Sequence, residues 1–206
     1  VEGVSRIPQE LLPEAYALPA LSLYSAPIAE MSILYLHHSM TETLPFSDVR
    51  VRQALLYGLD RQGIVDRVLS GQALVPGTPF LPGTWAYSLS GVPTYETDPA
   101  RAGALLAEAG WQRDAADGML HDASGRLMAF ELTASNEQSD VAVATDIADQ
   151  WVRLGVSVTV QTVRPRPHPS TVRFSSLISV GFQLPPSVTQ KFSLAIHSMS
   201  ASNPWP

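Results

Sequence analysis

The stretch from Leu127 to Val163 constrains the fold most. Met128, Phe130, Leu132 and Ala134 alternate with Ala129, Glu131 and Thr133, the period of a strand with one apolar face. A helical stripe follows over about 140–154, with Val143, Ile147, Trp151 and Leu154 on one side, and Gly155 stands where a helix turns off. Val156, Val158 and Val160 then alternate with Ser157, Thr159 and Gln161 as a second strand. A strand, a helix and a strand in that order pair in parallel through a right-handed crossover. The chain is therefore expected to be α/β, a mixed sheet flanked by helices.

The segments before this unit supply the covering helices. Ser47 and Asp48 offer side-chain oxygens to the open N–H groups of a first turn, and Val51, Leu55 and Leu59 recur on one face. Gly58 breaks the run, and Asp60 caps a second short helix that carries Ile64, Val65, Val68 and Leu69. Asp98-Pro99 opens another, with Ala102, Leu105, Leu106 and Ala109 on its apolar side and Gly110 at its end. Ile33–Leu36 reads as a buried strand, and Leu177–Phe182 is the strand candidate near the end. Met119-Leu120 is expected to form a hairpin with Leu127–Ala134 around Asp122–Gly125. Trp111 and Trp151 fall at core positions, whereas the glycines and prolines of 71–97 predict a long irregular loop.

Composition excludes several classes of function. With 13 Lys and Arg against 19 Asp and Glu the net charge is −6, which argues against a nucleic-acid partner, and with Lys191 the one lysine there is no lysine-rich patch. The absence of cysteine removes disulfides, thiolate metal sites and cysteine nucleophiles. No apolar run reaches the ~18 residues that would span a bilayer, and no signal segment follows Val1.

No residue set announces catalysis. His37 and His38 are adjacent, and neighbours on a strand point to opposite faces, so a shared metal ion is not expected. His121, Asp122, Ser124 and Ser135 contain the residue types of a hydrolytic triad, but His121 and Asp122 fall in a turn, and Asp114, Asp117 and Asp122 read as turn residues. Arg50 and Arg52 diverge by about 200° on a helix, so one of them is expected to pair with Asp48 or Asp66. No cofactor is called for, and the chain is not expected to be an enzyme. The best candidates for a ligand surface are Trp85 and Tyr87 in the loop, whose alternative role is to seal that loop against the domain.

Three segments resemble a known family. Pro45-Phe46-Ser47-Asp48-Val49-Arg50-Val51-Arg52-Gln53-Ala54-Leu55, followed by Leu59-Asp60-Arg61 and Ile64-Val65, is similar to the family 5 extracellular solute-binding proteins. So are Asp98–Trp111 and the helix–Gly–strand unit of 140–163, and Gly83–Tyr87 resembles that family's proline-rich loop. The resemblance implies one lobe of a two-lobed, Venus-flytrap (type II periplasmic-binding-protein-like) receptor. Its body would be 1–163, with 164–206 as a divergent, Pro- and Ser-rich continuation of the same lobe.

Implied partners are a peptide or similar small solute, the permease subunits of an ABC importer and a missing N-terminal lobe, with no nucleic acid. The implied location is periplasmic or extracellular. Family members are more than twice this long, so a fragment is implied. Gly181-Phe182 stands for the family's Gly-Trp, which adds Phe182 to the candidate ligand residues. Phe174-Ser175-Ser176 replaces an acidic Asp-Phe-Asp, and Pro185 falls on the Asp that takes a peptide's amino end. His37-His38 stands where an aromatic-Asn pair is usual. The rival expectation is an interaction domain that kept the scaffold and lost ligand recognition.

Overall fold

The computed structural model describes residues 7–8, 11–24, 32–36, 45–78, 80 and 83–164, and the backbone of 176–182. In chain order these hold α1 (Leu12–Tyr16), β1 (Ser32–Leu36), a 3₁₀ turn at Pro45–Ser47, α2 (Val49–Tyr57), α3 (Arg61–Val68) and α4 (Pro99–Glu108). They continue with β2 (Gln112–Arg113), β3 (Leu120–His121), β4 (Ala129–Ser135), α5 (Gln138–Arg153), β5 (Ser157–Val163) and β6 (Ser176–Phe182).

The main sheet runs β1-β6-β4-β5. β4 and β5 are parallel, with Phe130 opposite Val158 and Ser135 opposite Val163, and α5 forms their crossover. β6 is antiparallel to β4, with Phe182 opposite Phe130, and parallel to β1. The sheet is mixed, as the sequence led one to expect.

Alternation along β4 decides where the core lies. Phe130, Leu132 and Ala134 are fully buried, whereas Ala129, Glu131 and Thr133 are only half-buried on the other face. The buried residues join in one cluster with Val51, Ala54 and Leu55 of α2, Ala102 and Leu106 of α4, and Ala144, Ile147 and Trp151 of α5. The Phe130 ring lies 4.5 Å from Phe46 and 6.4 Å, edge-on, from Trp151, arrangements that aromatic quadrupoles favour.

The junction between α2 and α3 shows how the sequence is held. A helix end leaves carbonyls without intrahelical donors. Here the Gly58 amide donates to the Ala54 carbonyl, Leu59 to Leu56, and Asp98 to Tyr57. The indole N–H of Trp151 donates to the Leu55 carbonyl at 3.0 Å, and the Thr97 hydroxyl to the Leu59 carbonyl at 3.0 Å. Asp60 then caps α3 by accepting from the Gly63 amide, while its own N–H donates to the Gln150 side chain. Gly58 lets Leu154 pack closely, because a Cβ there would lie 2.2 Å from Leu154 Cδ1 and that side chain would have to shift. α4 is capped as its sequence predicts: Asp98 accepts from the Arg101 amide, Pro99 follows, and Gly110 takes φ +91°.

Two expectations need correction. The Asp122–Gly125 turn forms, with the Asp122 amide donating to the Arg126 carbonyl and Met128 to Leu120, but β3 pairs with β2 in a small sheet of its own. Among the described residues an isolated bridge, His121 to Leu127, joins β3 to the segment just before β4. β4 leaves for the main sheet because only there can Phe130 and Leu132 be covered by helices. Ile33–Leu36 is also not a buried strand: β1 lies at the end of the sheet, half-buried, with Tyr35 47% exposed.

Candidate functional site

Between α3 and α4 the described chain contains no helix or strand, and from Val68 to Tyr95 the sequence has no charged residue. The loop is tied at both ends. At its start the Gly71 amide donates to the Val65 carbonyl, and the Gln72 side chain bonds the Tyr16 hydroxyl at 3.3 Å. At its end Arg61 donates to the Tyr95 carbonyl at 2.7 Å, and the Tyr95 ring meets Tyr57 edge-on at 5.2 Å.

Between these anchors lies a surface of apolar side chains. Trp85 is 99% exposed, and Leu74, Phe80 and Leu89 are also exposed. Gly83 at φ +85° leads into a turn in which the Tyr87 amide donates to the Thr84 carbonyl. Thr78 is buried and braces the backbone by bonding both the carbonyl and the amide of Phe80. The alternative that these rings seal the loop fails for Trp85, whereas Tyr87 is half-buried. Chemically, the segment offers aromatic area and backbone polar groups but no acid or base, a composition suited to contact with an uncharged or apolar group.

The third candidate, Phe182, ends β6 and pairs through its backbone with Phe130; its side chain lies outside the described residues. His37, His38, Phe174, Ser175 and Pro185 also lie outside them. No group of three or more His, Asp or Glu among the described residues is placed to hold a metal ion.

The residues of the hydrolase reading do not converge. His121 bonds Asp117, Asp122 accepts from Ser124 and Arg126, and Ser135 donates to the buried Asp140 on α5. The Ser124 and Arg126 hydrogen bonds hold the Asp122 carboxyl down to about 2, so it remains a turn-forming carboxylate. Asp114 and Asp117 likewise accept from the amides of Ala116 and Met119. Arg50 pairs with Asp48 at 2.7 Å, which lowers the Asp48 carboxyl below its usual range, while Arg52 turns to the Phe46 and Ser47 carbonyls. The arginines thus staple the scaffold.

Comparison with known proteins places this scaffold. The model for bacterial extracellular solute-binding proteins, family 5 Middle, matches residues 1–206. The chain belongs to that family. Among its relatives, the oligopeptide-binding protein AppA of Bacillus subtilis is 33% identical over 141 residues, covering 66% of this chain and 25% of AppA. The dipeptide-binding protein of Escherichia coli is 29% identical over 64% of this chain and 23% of its own length.

Among solved structures, AppA in complex with a nonapeptide superposes with a TM-score of 0.56 at 31% identity, over 66% of this chain and 28% of that one. NikZ of Campylobacter jejuni in complex with Ni(L-His) gives 0.53 at 29% identity, over 68% and 28%. This family 5 chain therefore spans about a quarter of the length of the relatives it matches.

Residues that sequence reasoning missed are Arg61 and Thr97, which hold the end of the loop, and Gln150, which holds the α2–α3 junction. Their partners lie 34 to 90 positions away, and no local pattern announces such a bond.

Proposed function

We propose that this chain is one lobe of the substrate-binding component of an ABC importer, which takes a peptide or similar small solute between two lobes and delivers it to the permease. Family membership over the whole chain carries this reading. AppA and the dipeptide-binding protein are named for peptides, and NikZ was solved with a nickel–histidine chelate, so a small solute is the class in common. Residues 1–163 form the body of the lobe and 164–206 its continuation, an assignment supported by the pairing of β6 with β1 and β4.

Trp85, Tyr87 and Phe182 are the residues proposed to face the ligand, and the nearly full exposure of Trp85 is the observation that supports them best. The partners are the solute, the other lobe and the permease subunits, and the location is outside the cytoplasmic membrane, periplasmic or extracellular. The relatives are binding proteins, and no catalytic step is assigned to this chain. A solute held between two lobes draws contacts from both, so this lobe alone binds weakly.

The test is a thermal-shift series on the protein paired with its complementary lobe, against di- to pentapeptides, nickel–histidine chelates and oligosaccharides. A rise in Tm with one class, lost in Trp85→Ala, is expected. No shift with any class overturns the importer reading. It would favour an interaction domain without a ligand, which the replacement of acidic family positions by Phe174, Ser176 and Pro185 also suggests.

A further inference from the structure

The β2–β3 hairpin contains a group that the solute-binding reading does not use. Both ring nitrogens of His121 face acceptors: Nε2 lies 2.9 Å from the Asp117 carboxylate, and Nδ1 lies 3.2 Å from the Gly125 carbonyl. A neutral imidazole has one N–H and can satisfy one of them; the imidazolium has two and satisfies both. Asp117 and Gly125 stand on opposite sides of His121 in the sequence, so the ring joins the turn that precedes β3 to the turn that follows it. We propose that His121 is a pH-operated latch, which as imidazolium ties the 114–119 turn to the 122–126 turn and on losing its proton releases one of them.

The surroundings favour the closed form. Asp117 and Asp114, both acidic, act on the ring and raise its proton affinity above that of an ordinary histidine, the Asp117 hydrogen bond being the largest cause. The nearby cations are engaged elsewhere. Arg126 pairs with Asp122 at 3.0 Å and lies over the Trp111 ring. Arg113 of β2 donates to the Gly118 carbonyl and, on the α5 side, to the carbonyl of Arg153.

The sign of the effect follows from the two partners. His121 has a raised folded value, so its contribution is complete below the unfolded histidine value and is lost as pH rises through the folded one. The Asp117 carboxyl is lowered, first by the Met119 amide and then by His121, so its contribution holds above the unfolded carboxylate value and is lost as pH falls through the folded one. The latch is closed between these limits and opens on the alkaline side. Opening loosens the hairpin where it is pinned to the end of α5 by the hydrogen bond from the Leu120 amide to the Gly155 carbonyl.

The test follows the His121 ring nitrogens by NMR across pH in the whole chain, with hydrogen exchange of the Gly118, Met119, Asp122 and Gly125 amides corrected for intrinsic rates against β4 and β5 amides. His121 is expected to titrate above ordinary histidine, with hairpin protection falling through the same transition while the β4 and β5 ladder is unmoved. Asp117→Asn keeps an oxygen for the Met119 amide but removes the carboxylate, and should bring the titration down towards the ordinary value. His121→Gln should abolish the pH dependence of protection. Titration at or below the ordinary histidine value overturns the latch, as does hairpin protection that is flat through the titration.

Discussion

The helical layer and the loop from Leu69 to Thr97 are both rich in apolar and aromatic residues, yet they treat them in opposite ways. Trp151 on α5 is 1% exposed, touches Phe130 and donates its indole N–H to the last turn of α2. Trp85 in the loop is 99% exposed. The difference teaches where the family pattern resides. Its recognisable segments, 45–69, 98–111 and 140–163, are the ones whose side chains close on one another within this chain. The loop is held firmly at its ends and presents its apolar centre outward.

The comparison can be broken most severely at Trp151. Trp151→Ala removes a buried ring and leaves the Leu55 carbonyl without its donor, and should cost about 3–5 kcal/mol in urea unfolding. A loss under about 1 kcal/mol would mean that the two regions do not differ as described. Trp151→Phe keeps most of the packing and should cost about 1–3 kcal/mol, mainly the orphaned carbonyl.

A smaller effect is expected at the turn that ends α5. Gly155 has φ +96°, and a Cβ there would come within 3.2 Å of the Gly118 carbonyl oxygen and of Leu120. Gly155→Ala should therefore destabilise by about 1–2 kcal/mol. Asp98→Ala removes the cap of α4 and should cost about 1 kcal/mol by the same measurement, with the exchange of the Arg101 amide rising as a local sign.

Trp85→Ala sits at the other extreme. It should leave stability within about 0.5 kcal/mol of the parent, because a side chain with almost no buried surface has little to lose. Its effect should appear in solute binding by the assembled receptor. A Trp85→Ala variant as unstable as Trp151→Ala would show that the loop is part of the core.

The legible and illegible parts divide along this line. Asp98, Pro99 and Gly110 announced α4 because a cap, a first-turn proline and a left-handed terminal residue act over a few positions. The stripe from Val143 to Leu154 and the alternation of β4 announced the parallel crossover for the same reason. The hairpin turn after β3 forms as expected, but the pairing of β3 with β2 was not legible because its sequence suits either neighbour. What decided it was that Phe130 and Leu132 belong under helices contributed by distant segments. At the candidate site, the residue types were visible, but whether Trp85 and Tyr87 seal the loop or stand clear of it depends on neighbours no local pattern names.

By itself the sequence determined the α/β class, the capped helices, the crossover between β4 and β5 and the absence of any thiol chemistry. Local sterics and periodic burial suffice for those. Only the tertiary structure decided the strand order, the closing of α2's last carbonyls by Trp151 and Asp98, the outward stance of Trp85 and the two-sided hydrogen bonding of His121. Each of these rests on which distant or competing groups arrive within about 3 Å, and that is a property of the assembled chain.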